Sequence, residues 1–107
     1  MIRVSALYPN GEGSRFDARY YVERHEPFAA GMLKPFGLLE IRTAIGQSAL
    51  DGAPPPFWAI SEMVFTTRDH FETAMDRCGE RLFADIPNYT DVVPVLQFSE
   101  LGADTQS

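Results

Sequence analysis

Four short segments of alternating apolar and polar residues, two longer segments of helical period, and turn-rich breaks at the joints predict an α+β fold. In chain order they read strand, helix, strand, strand, helix, strand. Such an order folds most simply as a split βαβ, a four-stranded antiparallel sheet with two helices on one face. At 107 residues, 45% of them hydrophobic and 22% charged, the chain suits one domain with one small core.

Each element follows from local chemistry. Residues 2–8 alternate as a strand, with Ile2, Val4, Ala6 and Tyr8 on one face. Pro9, Gly11 and Gly13 then break the chain, and a helix follows from about Asp17, with Ser14 or Asp17 able to cap it. Residues 38–45 form the second strand, with Leu39, Ile41, Thr43 and Ile45 alternating against Glu40, Arg42 and Ala44. A loop with Gly46, Gly52 and three consecutive prolines leads to a third strand at residues 57–65, the most hydrophobic of the four. Thr66 and Thr67 supply a capping signature for a second helix over residues 68–78, striped by Phe71, Ala74, Met75 and Cys78. Residues 80–91 read as irregular or short-helical, and residues 92–98 as the last strand. The domain spans residues 1–101, and residues 102–107, without an apolar anchor, read as a frayed tail.

Composition narrows the partners. Fifteen Asp and Glu against nine Lys and Arg leave a net charge of −6, and no stretch is rich in Lys or Arg. Nucleic acid and anionic membrane are therefore not expected partners. No apolar run reaches the roughly 20 residues of a membrane span. The N-terminal stretch lacks a signal-peptide core, so a cytoplasmic location is expected. Lone Cys78 reads as a small buried hydrophobe. The third strand is apolar on both faces, with Phe57, Ala59, Met63 and Phe65 on one and Trp58, Ile60 and Val64 on the other. Two helices cover one face only, so a homodimer joining sheet to sheet is expected.

The segment YYVERHEPF, residues 20–28, is the first candidate for chemistry. Pro27 lacks an N–H and crowds the carbonyl of Glu23, so the helix is expected to kink or restart near Glu26, itself pushed out of helical conformation. His25, sharing a face with Tyr21 and Phe28, then lines the gap so opened, as a general base or a ligand-orienting group. The competing account is a structural imidazole bonded to a carbonyl or to Glu26. His70 reads as solvated. The segment ADIPNYTD, residues 84–91, is the second candidate. Asx-type turns account for Asp85, Asn88 and Asp91, whereas a functional reading places Asn88 and Tyr89 at a pocket rim. Two His and one Cys give no metal-ligand spacing, and no glycine-rich nucleotide loop follows a strand, so neither metal nor cofactor is expected.

Three motifs in this order resemble the EthD-like family, named for ethyl tert-butyl ether degradation: LYP at residues 7–9, YYxxxHxP at 20–27 and DIPNYTD at 85–91. The resemblance runs from Met1 to about Glu100. It implies a dimeric α+β barrel, in which two ferredoxin-like subunits join their sheets, and it places the family's histidine at His25. The same architecture hosts cofactor-free monooxygenases acting on aromatic polyketides, muconolactone isomerases, stress-response barrels and haem-handling enzymes.

The function expected is action on, or binding of, a small, largely apolar organic ligand. In an enzyme, without a cofactor, His25 is the acid/base for oxygenation, dehydration or isomerisation. Tyr8, Tyr21, Phe28, Trp58, Asn88 and Tyr89 are the candidate substrate-binding residues. The alternatives are an accessory protein that binds such a ligand without turnover, and haem binding through His25.

Overall fold

Alternation and capping together set the order of elements seen in the computed structural model, which describes residues 1–100; the tail expected beyond residue 101 lies outside them. The chain runs β1 (Ile2–Pro9), α1 (Ala18–Tyr20), a wide turn at Tyr21–His25, α2 (Glu26–Leu33), a 3-10 turn at Lys34–Phe36, and β2 (Leu38–Ile45). It continues through β3 (Phe57–Phe65), α3 (Arg68–Ala84), a 3-10 turn at Ile86–Asn88 and β4 (Val95–Ser99). The strands form one antiparallel sheet in the order β2-β3-β1-β4. The helices cover one face, so the subunit is the ferredoxin-like α+β fold that the alternation predicts.

Register decides what faces the helices. Val4 stands opposite Met63 and Phe98, and Ala6 opposite Ser61 and Leu96. Thr43 stands opposite Ser61. With period 2, this one row of side chains from four strands makes the floor under the helices. Asp17, rather than Ser14, caps α1: its carboxylate accepts from the Tyr20 N–H. Thr67 caps α3 by accepting from the His70 N–H. Gly37, at φ 100°, turns the chain from the 3-10 turn into β2, and a Cβ there would stand 2.8 Å from Thr66 Oγ1. Cys78 is buried and His70 exposed, as their settings suggest.

Three expectations change. The helix of residues 68–78 runs on to Ala84, because Leu82 continues its buried stripe onto the core. β4 begins at Val95 rather than Val92, directly after Pro94, which has no N–H for the ladder. The third concerns Glu26: α2 does restart there with Pro27 in its first turn, as expected, but Glu26 itself is not pushed out of helical conformation. Glu26 stays helical at φ −62°, ψ −48°, and its N–H reaches back five residues to the Tyr21 carbonyl. One widened turn thus brings Pro27 into the first turn of α2, where a missing N–H is tolerated, with no break in the chain's course.

The wide turn also resets the buried line. Tyr21, His25, Ala29 and Leu33 are all buried. That spacing of four exceeds the 3.6 residues of an α-helical turn, and the wide turn supplies the excess. Among the described residues no helix is long and apolar enough to cross a membrane.

Candidate functional site

The wide turn puts the His25 imidazole beneath the helix, its ring centroid 5.0 Å from that of Tyr21 and 4.7 Å from that of Tyr89. Its Nδ1 lies 2.8 Å from Asp85 Oδ2. A carboxylate accepts only, so Nδ1 carries the proton, and the neutral ring presents Nε2 as an acceptor. Nε2 has no hydrogen-bond partner among the described residues, yet it is not sealed in packing. The one buried side-chain nitrogen or oxygen lacking a partner among them is Arg3 Nε.

Asp85 is itself held. Its Oδ1 accepts from the Tyr20 hydroxyl at 2.8 Å and from Asn88 Nδ2 at 2.9 Å. Burial pushes this carboxyl up, but the hydrogen bonds from Asn88, His25 and Tyr20 outweigh it and hold the group below the ordinary aspartate value. The two sequence motifs, 60 residues apart, are therefore halves of one site. Further bonds clip them together. Asp17 N–H donates to the Tyr89 carbonyl, Thr90 Oγ1 to the Arg15 carbonyl, and Arg15 N–H to Asp91 Oδ1.

His25 lines a cavity of about 80 Å³ between sheet and helices, together with Tyr8, Tyr21, Ser61 and Tyr89 and a wall of apolar side chains. The Tyr8 and Tyr89 hydroxyls are 2.9 Å apart. Burial first, and then neighbouring phenols, push the Tyr8 and Tyr21 hydroxyls far up; burial also raises Tyr89, so all three stay neutral donors. Phe83, Ile86, Pro94 and Leu96 form the cavity's edge and are shared with an adjoining open hollow of about 290 Å³.

Tyr8, Tyr21, His25 and Tyr89 are thus brought together, and three other candidates are not. Phe28 is 41% exposed. It borders a separate outer groove with Arg81, Asp85 and Asn88, because the buried line runs through Ala29 instead. Asn88 is exposed and acts on the site only through Asp85. Trp58 packs at the margin of the tyrosine cluster, half-buried, with its Nε1 donating to Ser14 Oγ at 2.9 Å, and it does not line the cavity. Asp85 and Tyr20 were the residues that sequence reasoning missed. Their signal was present in the motifs, since each contains one of the two. Among the described residues no group of three or more His, Cys, Asp or Glu side chains is placed to hold a metal.

Among solved structures, an EthD-like protein from Ralstonia eutropha JMP134 is 36% identical to this chain, covering 98% of it and 95% of its own length, with a TM-score of 0.89. The chain belongs to the EthD-like family. An EthD family protein from Bacillus halodurans C-125 shares the fold at TM-score 0.62 and 18% identity, covering 95% of this chain and 99% of that one. SnoaB, a cofactor-independent oxygenase from Streptomyces nogalater, shares it at TM-score 0.64 and 12% identity, covering 99% and 96%. No protein-family model and no curated protein sequence matches the chain.

Proposed function

We propose that this EthD-like protein binds a small, largely apolar organic molecule in the cavity between sheet and helices, and that His25 acts on it as a general acid/base without a resident cofactor. One observation carries the reading. The imidazole has Nδ1 held by the part-buried Asp85 carboxylate, Nε2 is left without a partner among the described residues, and His25 lines an apolar cavity, which supports the reading of a positioned base. Haem ligation gains no support, because Tyr21 and Tyr89 pack against the ring in a small cavity. SnoaB contributes only the precedent that this fold accommodates chemistry without a cofactor.

The test uses a neutral fluorescent probe, N-phenyl-1-naphthylamine. It is expected to bind one per chain with a rise in emission. His25→Gln should change stability by no more than about 1 kcal/mol, since Asp85 keeps its bonds from Tyr20 and Asn88. Absence of any probe binding, or collapse of the fold on removing the imidazole, would make His25 a structural residue.

We also propose a homodimer through the uncovered face of the sheet. By alternation that face presents Leu7, Ile60, Val64 and Val95. Between them lie the ion pairs Arg3–Glu62 and Arg42–Glu40, two of each sign, a pattern that a two-fold axis can match with itself. Sedimentation at micromolar concentration should give twice the chain mass, and a monomer there would exclude the barrel.

A further inference from the structure

We infer that the ligand is an uncharged ketone with an acidic C–H beside its carbonyl, lodged oxygen-first, and that the site enolises it. This rests on the binding reading above and narrows it to a substrate class.

Charge comes first. Among the described residues lining the cavity there is no Lys, Arg, Asp or Glu. Protonating His25 only balances Asp85 beside it, so the pair never offers a net positive charge to a carboxylate or phosphate. A cation fares no better, because Asp85 is already committed to His25, Tyr20 and Asn88. What the site admits without an uncompensated charge is a neutral molecule.

Position comes second. The polar side chains collect at one end of the floor. Tyr8 stands opposite Ala59, and one row on, Ala6, Ser61 and Thr43 lie side by side. Thr43 Oγ1 donates to Ser61 Oγ at 3.2 Å. In the next row Val4, Met63 and Ile41 are apolar. The edge at Phe83, Ile86, Pro94 and Leu96 continues the apolar surface out to the larger hollow. A ligand that matches this surface has oxygen at one end and hydrocarbon at the other.

The third point is proton inventory. Tyr8 and Tyr89 share one hydrogen bond, and two hydroxyls in one bond leave one O–H proton over. We assign that proton to the ligand oxygen. His25 Nε2 in the same wall is an acceptor. A donor for the carbonyl and a base for the neighbouring C–H are the two requirements of enolisation. Nε2 takes the proton from the α carbon. The C–H electron pair becomes the C=C bond, and the carbonyl π pair moves onto oxygen, which the phenol stabilises. Return of the proton completes an exchange that needs no oxidant, reductant or co-reactant.

The experiment compares three probes of one shape: 2-tetralone, neutral and enolisable; tetralin, without oxygen; and 2-naphthoate, anionic. Each is titrated against bound N-phenyl-1-naphthylamine, and hydrogen–deuterium exchange at C1 of 2-tetralone is followed by proton NMR in D2O. We expect 2-tetralone to displace the dye at least tenfold better than the other two. Wild-type protein should raise its exchange rate about 100-fold over buffer. His25→Gln should return it to the buffer rate, and Tyr89→Phe should lower it about tenfold, with circular dichroism confirming both folds. If 2-naphthoate competes as well as 2-tetralone, or if bound 2-tetralone exchanges at the buffer rate with wild-type protein, the enolisation inference is overturned while the binding reading stands. If neither the dye nor any probe binds, both are overturned. The wild-type comparison decides even where a variant fails to fold.

Discussion

The layer between sheet and helices has two ends of opposite character. One is dry: Val4, Leu33, Leu38, Phe65, Ala74, Cys78 and Leu82 pack together, with Phe65 and Leu33 at 0% exposure. Phe71 closes on Phe65 edge-to-face at 5.3 Å. The other is Ala6, Tyr8, Tyr21, Ala59 and Tyr89, and beside it lie the buried polar residues His25, Ser61 and Thr90. All four tyrosines of the chain, Tyr8, Tyr20, Tyr21 and Tyr89, belong to this second end. Buried hydroxyls stabilise less than hydrocarbon of equal volume and demand partners. Confining them to one end lets the first end hold the fold while the second keeps the hydroxyls and the His25 imidazole in place.

The comparison breaks most sharply in alkali. The buried phenols of Tyr8, Tyr21 and Tyr89 are raised above the ordinary tyrosine value, by burial first. The unfolded chain therefore sheds protons near pH 10 that the folded chain keeps. Stability is fully present below that pH and falls as pH rises, by about 1.4 kcal/mol per unit for each group, or about 4 for the three. Tyr20 is raised as well, because Asp85 accepts its hydrogen bond. The urea midpoint should drop steeply between pH 9 and 11, and phenolate absorbance in the native protein should rise only as it unfolds. Four phenols ionising near pH 10 with the fold intact would contradict the burial described.

At the dry end the comparison takes the form of a cavity. Phe65→Ala should cost about 3–5 kcal/mol. Dye binding measured at a temperature where the variant is still folded should be unchanged, because Phe65 does not line the cavity. A large loss of binding would mean that the two ends are not separable.

How much of this was legible differs by end. Strand alternation gave the layer order and, through Leu38–Ile45 and Phe57–Phe65, the strand bounds themselves. The dry end is hydrophobic pattern alone, so it was readable. The polar end depends on a contact between residues 60 apart, and no period in a single sequence reports it. Local rules also misled. Reading residues 20–28 with α-helical spacing put Phe28 beside His25, whereas a five-residue wide turn selects Ala29. Reading residues 84–91 as turn chemistry was correct for Asn88, which does bond Asp85 three residues back, but it explained one carboxylate oxygen and left the other unassigned.

The smallest of these three effects should come from Asp85→Asn, and it is the most informative about the polar end. The amide keeps the shape and can still accept from Tyr20. It loses the charge, and with its NH2 toward the ring it donates where the carboxylate accepted. At neutral pH the cost should be about 1–3 kcal/mol, in the range of one charge-assisted hydrogen bond. Because Asp85 is held below its unfolded value, its stabilisation is present above about pH 4 and is lost as pH falls through the lowered value. Wild type and variant should therefore converge in acid. Nitrogen-15 NMR of the imidazole reads the consequence for function. Wild type should show the proton on Nδ1, and the variant should show it on Nε2, leaving no base toward the cavity. The same tautomer in both proteins would mean that Asp85 does not set the orientation of His25, and that the carboxylate serves only to tie the Tyr20 and Asn88 segments together.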